Sequence, residues 1–351
     1  MSSSDSDADY FDLPPVRRPR IFRPRINFDR FPDENQQRFR LNDNRINALV
    51  ERLRDVIDHS TKRNHALTAD QQIRLSLRLL ATGDNMRTVA DAHGVHKSTV
   101  SRTLHRFVDA VNRHLFSTII NFPVNDAMRD VVAKFRDLAG MPGVIGAVDG
   151  THVDILRPSE NEVQFVNRHG NHSLNCMMVC GPDMKFFYVS AKWPGSVGDA
   201  RVFRNSTLKA RLEEGWRPFP QGFLLGDSGY PNLRYLLTPL LNPRTDGEER
   251  YNRVHTKTRR VIECAYGLLK NRFRILLGKM EVEPKFAAEI VRCCAVLHNL
   301  TLTPADTALI LNDGDEVDGG NMVADADEAD IDAEPVEAEN FDRRNQVIAL
   351  L

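Results

Sequence analysis

Two short apolar runs, each leading into an aspartate, limit what this chain can fold into more than any other feature. Val144-Ile145-Gly146-Ala147-Val148 runs into Asp149, and Phe223-Leu224-Leu225-Gly226 runs into Asp227. Runs this short and this apolar read as buried strands. A carboxylate at the end of such a strand is held rigidly, with little side-chain freedom left to lose. Leu174 to Val179 and Phe186 to Ser190 read as a hairpin about the turn Gly181-Pro182-Asp183, and helical segments follow near 256–276 and 286–302. Strands, a variable middle, then a strand and helices give an α/β class: a sheet with helices on it.

Two more carboxylates stand out by context. Asp199 lies in Trp193-Pro194-Gly195-Ser196-Val197-Gly198-Asp199. Glu263 lies on a helix whose apolar stripe is Ile262, Tyr266, Leu269 and Phe273, and Glu263, Gly267, Lys270 and Arg274 fall on a neighbouring face. Taken singly, each acid reads as readily as the cap of a turn or helix. Taken together, Asp149, Asp199, Asp227 and Glu263 form a set of hard oxygen donors with no Cys/His set beside them. Such a set suits Mg²⁺ or Mn²⁺. Two such ions roughly 3.5–4 Å apart can activate a water and stabilise the leaving oxygen in phosphodiester cleavage. Lys270, Arg272 and Arg274 would then hold phosphates as point charges. The five cysteines, Cys176, Cys180, Cys264, Cys293 and Cys294, are scattered. The C-x3-C pair Cys176/Cys180 lacks a second ligand pair, so it reads as buried thiols rather than a zinc site.

Upstream, residues 66–115 carry the pattern of a helix-turn-helix. Thr68 is placed to cap a helix bearing Ile73, Leu75, Leu77, Leu79 and Leu80, and Met86–Ala92 makes a second, short helix. His93-Gly94-Val95 makes the turn, and a third helix from Lys97 or Ser98 buries Val100, Leu104 and Val108. Its outer face offers Lys97, Ser101, Arg102, His105 and Arg106. Plain three-helix bundles share this pattern, but the cationic, hydroxyl-bearing face favours DNA contact. Residues 42–64 add a further helix.

Charge divides the chain. The whole carries a formal −1, yet residues 312–339 hold twelve Asp/Glu and no Lys/Arg, which leaves residues 1–311 at a formal +10. A basic body with an acidic tail fits a nucleic-acid partner. Residues 17–40 hold eight arginines against three acids, with Ile21, Phe22, Ile26, Phe28 and Phe31 interleaved. That segment reads equally as a solvated stretch docked by its aromatics and as a phosphate-contacting arm or import signal. No apolar run reaches the length of a membrane span, and the polar, acidic start is unlike a secretory signal. The organisation expected is a disordered or basic arm over 1–40, a helical region over 41–125, an α/β domain over 140–305 and an acidic disordered tail over 306–351.

These residues also form an ordered series of motifs. The series is Val-Asp149-Gly-Thr-His, Asn167-Arg168-x-Gly170-x-His172-Ser173-Leu174-Asn175, Trp193-Pro194-Gly195-Ser196-x-x-Asp199, Leu-Gly-Asp227-Ser-Gly-Tyr-Pro, Arg259-x3-Glu263-x6-Lys270-x-Arg272-Phe273 and Leu297-His298-Asn299. It resembles the PIF/Harbinger transposases, and most nearly their domesticated, transposase-derived nucleases, over about 40 to 305. The resemblance implies an RNase H-like DDE core, a mixed sheet with flanking helices, preceded by an all-α helix-turn-helix region. Its first Asp is on the first strand, its second on the fourth and its Glu on a later helix: Asp149, Asp227 and Glu263. Asp199 is implied as an additional or alternative metal ligand. His152, His172 and His255 are open to either a site role or a structural one. Thr256 departs from the Tyr that related insertion-sequence transposases carry there. The resemblance further implies divalent-metal-dependent DNA cleavage, a Myb/SANT-like DNA-binding partner, and a nuclear location with the cytoplasm as a second. The alternative is a catalytically silent DNA-binding or scaffold protein that keeps the fold.

Overall fold

The computed structural model describes residues 22–25, 32–61, 64–306 and 338–351. The expected disordered start and most of the acidic stretch lie outside these residues.

The helical region begins inside the stretch expected as an arm over 1–40, with α1 (Pro32–Phe39), whose Phe39 is fully buried in the core, and continues with α2 (Asp43–Ile57). The Asn42 side chain caps α2 by accepting from the Arg45 N–H, and Ile46, Leu49, Val50, Leu53 and Ile57 make one buried stripe. Then come α3 (Ala69–Thr82), α4 (Met86–Ala92) and α5 (Lys97–His114). Thr68 and Gln71 form a reciprocal capping box at α3. Gly94 takes a φ of 64° in the turn before α5, a conformation that a residue without Cβ adopts freely. The three helices have the bounds that apolar spacing and the Gly94 turn imply. α6 (Phe116–Ile119) and α7 (Asp126–Ala139) lead into the sheet.

The sheet strands are β1 (Val144–Asp154), β2 (Ser173–Cys180), β3 (Phe186–Pro194), β4 (Phe223–Leu225) and β5 (Leu236–Leu237). Their order is β3-β2-β1-β4-β5. β1, β2 and β3 pair antiparallel, whereas β4 pairs parallel with both β1 and β5. β2 is buried along its whole length, so its sequence is a nearly unbroken apolar run without alternation. Short helices α8 (Glu162–Phe165), α9 (Asp199–Arg204) and α10 (Thr207–Glu213) fill the connections. The long helix α11 (Asp246–Arg272) starts ten residues before the expected point and opens with a Thr245/Glu248 capping box. α12 (Pro284–Thr301) follows.

The strand-end reading of Asp149 needs correction. β1 continues past it to Asp154, paired with β2 throughout. β4, however, stops at Leu225, level with Ala147. Beyond that level one edge of β1 loses its neighbour, and the parallel register brings Asp149 level with Asp227. Asp149 and Asp227 therefore sit where β4 leaves the edge of β1, not where β1 itself ends.

The helical region and the sheet share one continuous core. Arg45 donates to the carbonyls of Thr301 and Leu302, and Asn112 donates to Glu289, both on or beside α12. The family-type Leu297-His298-Asn299 run belongs to this framework. His298 is fully buried, contacts the Met184 carbonyl through Nε2 at 3.0 Å, and is held neutral by burial, its pKa lowered to about 3. Asn299 closes both backbone groups of Phe186, accepting from its N–H and donating to its carbonyl at 2.8 Å each.

The C-terminal segment differs from the expected disordered tail over 306–351. Residues Ala338–Leu350 form a helix, α13, against α11. Val347 is buried, and Arg343 donates to the Gln221 carbonyl while its guanidinium lies over the Phe223 ring. The helix carries apolar residues that composition-based reading of an acidic stretch passes over.

Candidate active site

Asp149, Asp199, Asp227 and Glu263 come from β1, the start of α9, the turn after β4, and α11. Asp149 is nearly enclosed. Its Oδ1 accepts from the Gly150 N–H at 3.0 Å, and its Oδ2 accepts from Arg259 Nη1 at 3.1 Å. Burial pushes its carboxyl up to about 7. Arg259 pulls the other way, while the nearby Asp227 and Asp199 raise it further. Burial and the two like charges outweigh the single cation.

Asp199 is steered by Asn175 on β2, whose Nδ2 donates to Oδ1 at 2.7 Å and to the Val197 carbonyl at 2.8 Å. It leans directly on the β1 backbone at Gly150, where any Cβ would collide with the carboxylate. Glycine is thus required beside Asp149 because a second acid occupies that space. Asp227 accepts from the Gly229 N–H at 3.0 Å in its own turn. Glu263 is the most exposed of the four, with 41% of its side chain accessible, and it pairs with Arg259 one helical turn earlier.

Arg259 is therefore the hub. One guanidinium joins Asp149 of the sheet to Glu263 of α11, with only 17% of its side chain exposed. The sequence motif contains it, but the motif alone gave it no role; the usable signal was a cation at i−4 from Glu263 on a helix facing two aspartates. Beneath the cluster, Tyr266 donates to the Asp149 carbonyl at 2.6 Å, and Lys270 Nζ donates to the His152 carbonyl at 2.9 Å. These two contacts lock α11 onto β1. Tyr230, from the Asp227 motif, is 4% exposed beside the acids, and its hydroxyl has no partner among the described residues.

The donor set fits a hard divalent cation: crowded, half-buried carboxylate oxygens whose mutual repulsion already shows in Asp149. Among the described residues, no three of these groups surround one point as ligands would. Arg259 holds two of them from the side and supplies the positive charge.

The remaining candidates divide. Lys97 and Arg102 are exposed on α5. Arg106 donates to Gln72 at 2.6 Å and lies 3.0 Å from His59 Nε2. His105 stacks flat on Phe286 of α12, with centroids 3.6 Å apart. Arg272 is committed to Asp306 and Thr301, which fits a framework role and leaves little of it for phosphate. Lys270 is likewise tied to β1. Arg274 is exposed but belongs to a short 3-10 turn after α11 ends, so it does not share the Glu263 face. His255 is buried against the Leu237 carbonyl, and burial lowers its pKa to about 4, a structural role. His152 contacts Ser173 Oγ at 2.9 Å, and His172 contacts Glu162 at 3.1 Å. Cys176 and Cys180 are free, fully buried thiols.

Residues 148–299 match the DDE superfamily endonuclease model, and residues 68–111 match a homeodomain-like domain model. The rat protein named "Putative nuclease HARBI1" (Rattus norvegicus) is 38% identical over 73% of this chain and 74% of its own length. The human protein of that name (Homo sapiens) is 36% identical over the same shares. An Arabidopsis thaliana protein named ALP1-like is 29% identical over 71% of this chain and 64% of its own length. No solved structure matches. A mixed sheet with flanking helices matching the endonuclease model, a homeodomain-like helical region before it, and relatives at this identity together place the chain in the family of Harbinger transposase-derived nucleases, within the DDE superfamily endonucleases.

Proposed function

We propose that this chain is a divalent-metal-dependent DNA endonuclease that hydrolyses phosphodiester bonds at the Asp149, Asp227 and Glu263 site. The observation that carries the reading is the crowding of Asp149, Asp199 and Asp227 where β4 leaves the edge of β1, with the Asp149 carboxyl raised to about 7. Carboxylates kept this close in a poorly hydrated site hold unfavourable charge, and a bound divalent cation relieves it. Asp149 and Asp227 would hold Mg²⁺ or Mn²⁺, with Glu263 completing the set and Asp199 as a further ligand. The metal would supply activation of the attacking water and stabilisation of the leaving 3′ oxygen.

The chain's own residues do the rest. Tyr266 and Lys270 fix the spacing between α11 and β1 through backbone carbonyls, so Glu263 and Asp149 keep a constant separation. Arg259 offsets part of the cluster's charge and is placed to meet a scissile phosphate when it leaves Asp149. Lys97 and Arg102 on α5 hold the duplex by its phosphates, which positions it without reading sequence. A Myb/SANT-like partner would add end recognition, and a DNA substrate implies work in the nucleus.

One observation favours a second reading. Arg259 already pairs with Asp149 and Glu263, so two of the acids have a protein partner without any metal, as a silent DNA-binding protein or scaffold would need. Cleavage of duplex DNA with Mg²⁺ or Mn²⁺ separates the two. The nuclease reading expects metal-dependent cutting that Asp149→Ala and Glu263→Ala abolish. No cutting in either metal, with a DNA-binding partner supplied, leaves the silent reading standing.

A further inference from the structure

The segment Phe22–Arg25 is built onto the helix-turn-helix. The Phe22 ring tilts over His65 with centroids 4.3 Å apart. Arg23 pairs with Asp91 at the end of α4. Arg25 donates to Gln71 Oε1 at 3.1 Å and to the His65 carbonyl. Between them the Pro24 carbonyl crosses directly over Gly94, where a Cβ would strike it. The glycine of the turn therefore does two things: it adopts the positive φ and lets a second stretch of backbone pass.

Between this segment and the start of α5 lies a groove of about 1150 Å³. Six cations line it: Arg23, Arg25, Arg87, Lys97, Arg102 and Arg106. Asp91 is the only carboxylate among its described lining residues, and the hydroxyls of Ser60, Thr61 and Thr99 add neutral donors. Arg106 is held in place by Gln72. The Arg23–Asp91 pair is mostly exposed, at 63% and 70% of the two side chains. Such a pair exchanges readily for a stronger anion.

We propose that Phe22–Arg25 and the first two turns of α5 are the walls of a seat for one phosphodiester strand of duplex DNA. The inference rests on the reading of the chain as a protein that acts on DNA. Six cations facing one channel repel one another, and a polyanion with regularly spaced charges relieves all of them at once. Hydroxyls between the cations match phosphate oxygens, which take hydrogen bonds as well as charge. The position fits as well. A recognition helix meets the major groove with its N-terminal residues, so the bordering strand runs along that end of the helix, where the groove opens. The bound segment thus extends the contact from one helix to two walls and fixes which side of α5 faces the duplex.

The test is fluorescence anisotropy of the full chain on a labelled duplex across a salt series. Arg23→Gln/Arg25→Gln and Lys97→Gln/Arg102→Gln are the two wall variants. Arg113→Gln, in the exposed last turn of α5 and paired with Asp109, is the control. Each wall variant should weaken binding more than tenfold at low salt. Each should also flatten the salt dependence of log affinity by about 2, since each lost phosphate contact contributes roughly 0.9. Arg113→Gln should behave as wild type, and thermal melts should show all variants folded. Wild-type or tighter binding by Arg23→Gln/Arg25→Gln, with Lys97→Gln/Arg102→Gln weakened, overturns the two-walled seat alone. Displacement of the duplex by a far lower charge-equivalent of acidic peptide assigns the groove to a protein segment and also overturns it. Failure of the wild type to bind duplex at any salt defeats the DNA-acting reading itself.

Discussion

Replacing Asp149 with Asn should make the metal-free protein more stable at alkaline pH, although it removes a central residue of the site. The Asp149 carboxyl rises from an ordinary 3.8 to about 7. At about 1.4 kcal/mol for each tenfold change, its ionisation in the folded state is disfavoured by about 4 kcal/mol. The sign follows from proton counting. Below the unfolded value both states hold the proton, and Asp149 adds no strain. Between 3.8 and about 7 the folded state holds a proton that the unfolded state releases, so stability declines as pH rises. Above about 7 both states are ionised and the full penalty applies. Asparagine keeps the shape, carries no charge and never incurs that penalty. The opposing pull of Arg259 is already contained in that value, so the gain at pH 8 is at most about 4 kcal/mol. At about 2 °C or less per kcal/mol for a chain of this size, Tm should rise by several degrees. The assay is a thermal melt of wild type and Asp149→Asn in EDTA at pH 5 and pH 8. The gap should open with pH, and saturating Mn²⁺ should narrow it by stabilising the wild type alone. A variant that melts at or below wild type at pH 8 would refute the claim that charge repulsion is stored at Asp149.

Three further outcomes are expected. Arg259→Gln should bind Mn²⁺ several-fold more tightly than wild type without DNA, by calorimetric titration, because the competing guanidinium is gone; its DNA cleavage should fall at least tenfold. Gly150→Ala should displace Asp199 and lower cleavage at least tenfold, while a melt shows the fold intact; unchanged cleavage would remove Asp199 from the site. Neutralising the acids of 313–337 to Asn/Gln, with α13 left in place, should raise non-specific DNA affinity at low salt if that stretch competes for the basic surface, and unchanged affinity would exclude the competition.

Sequence showed most where a local rule acts alone. The Thr68 cap, the Gly94 turn and the apolar spacing of α5 are set within a few residues, so the helix-turn-helix could be read directly. The apolar runs before Asp149 and Asp227 showed two strands of the sheet but not where the site opens. That depends on β4 stopping at Leu225 while β1 continues, a property of register between distant segments. By sequence, the face of α11 offers a carboxylate followed by cations suited to phosphate. Lys270 and Arg272 instead serve the framework, because burial of their stems leaves each head within reach of an internal acceptor, the His152 carbonyl and Asp306. Arg259 went unassigned because its role exists only once β1 and α11 face each other. The helix α13 was hidden by the acidity of the stretch before it; Val347 and its neighbours become core only through contact with α11.

The central claim is that these carboxylates hold divalent metal for DNA cleavage. Anomalous diffraction at the manganese edge, from crystals of the full chain grown with Mn²⁺, tests it most directly. A peak is expected within ligand distance of Asp149 and Asp227 oxygens, with the Arg259 guanidinium moved off Asp149. Saturating Mn²⁺ with no peak at these carboxylates, and Arg259 still bound to Asp149, would contradict it.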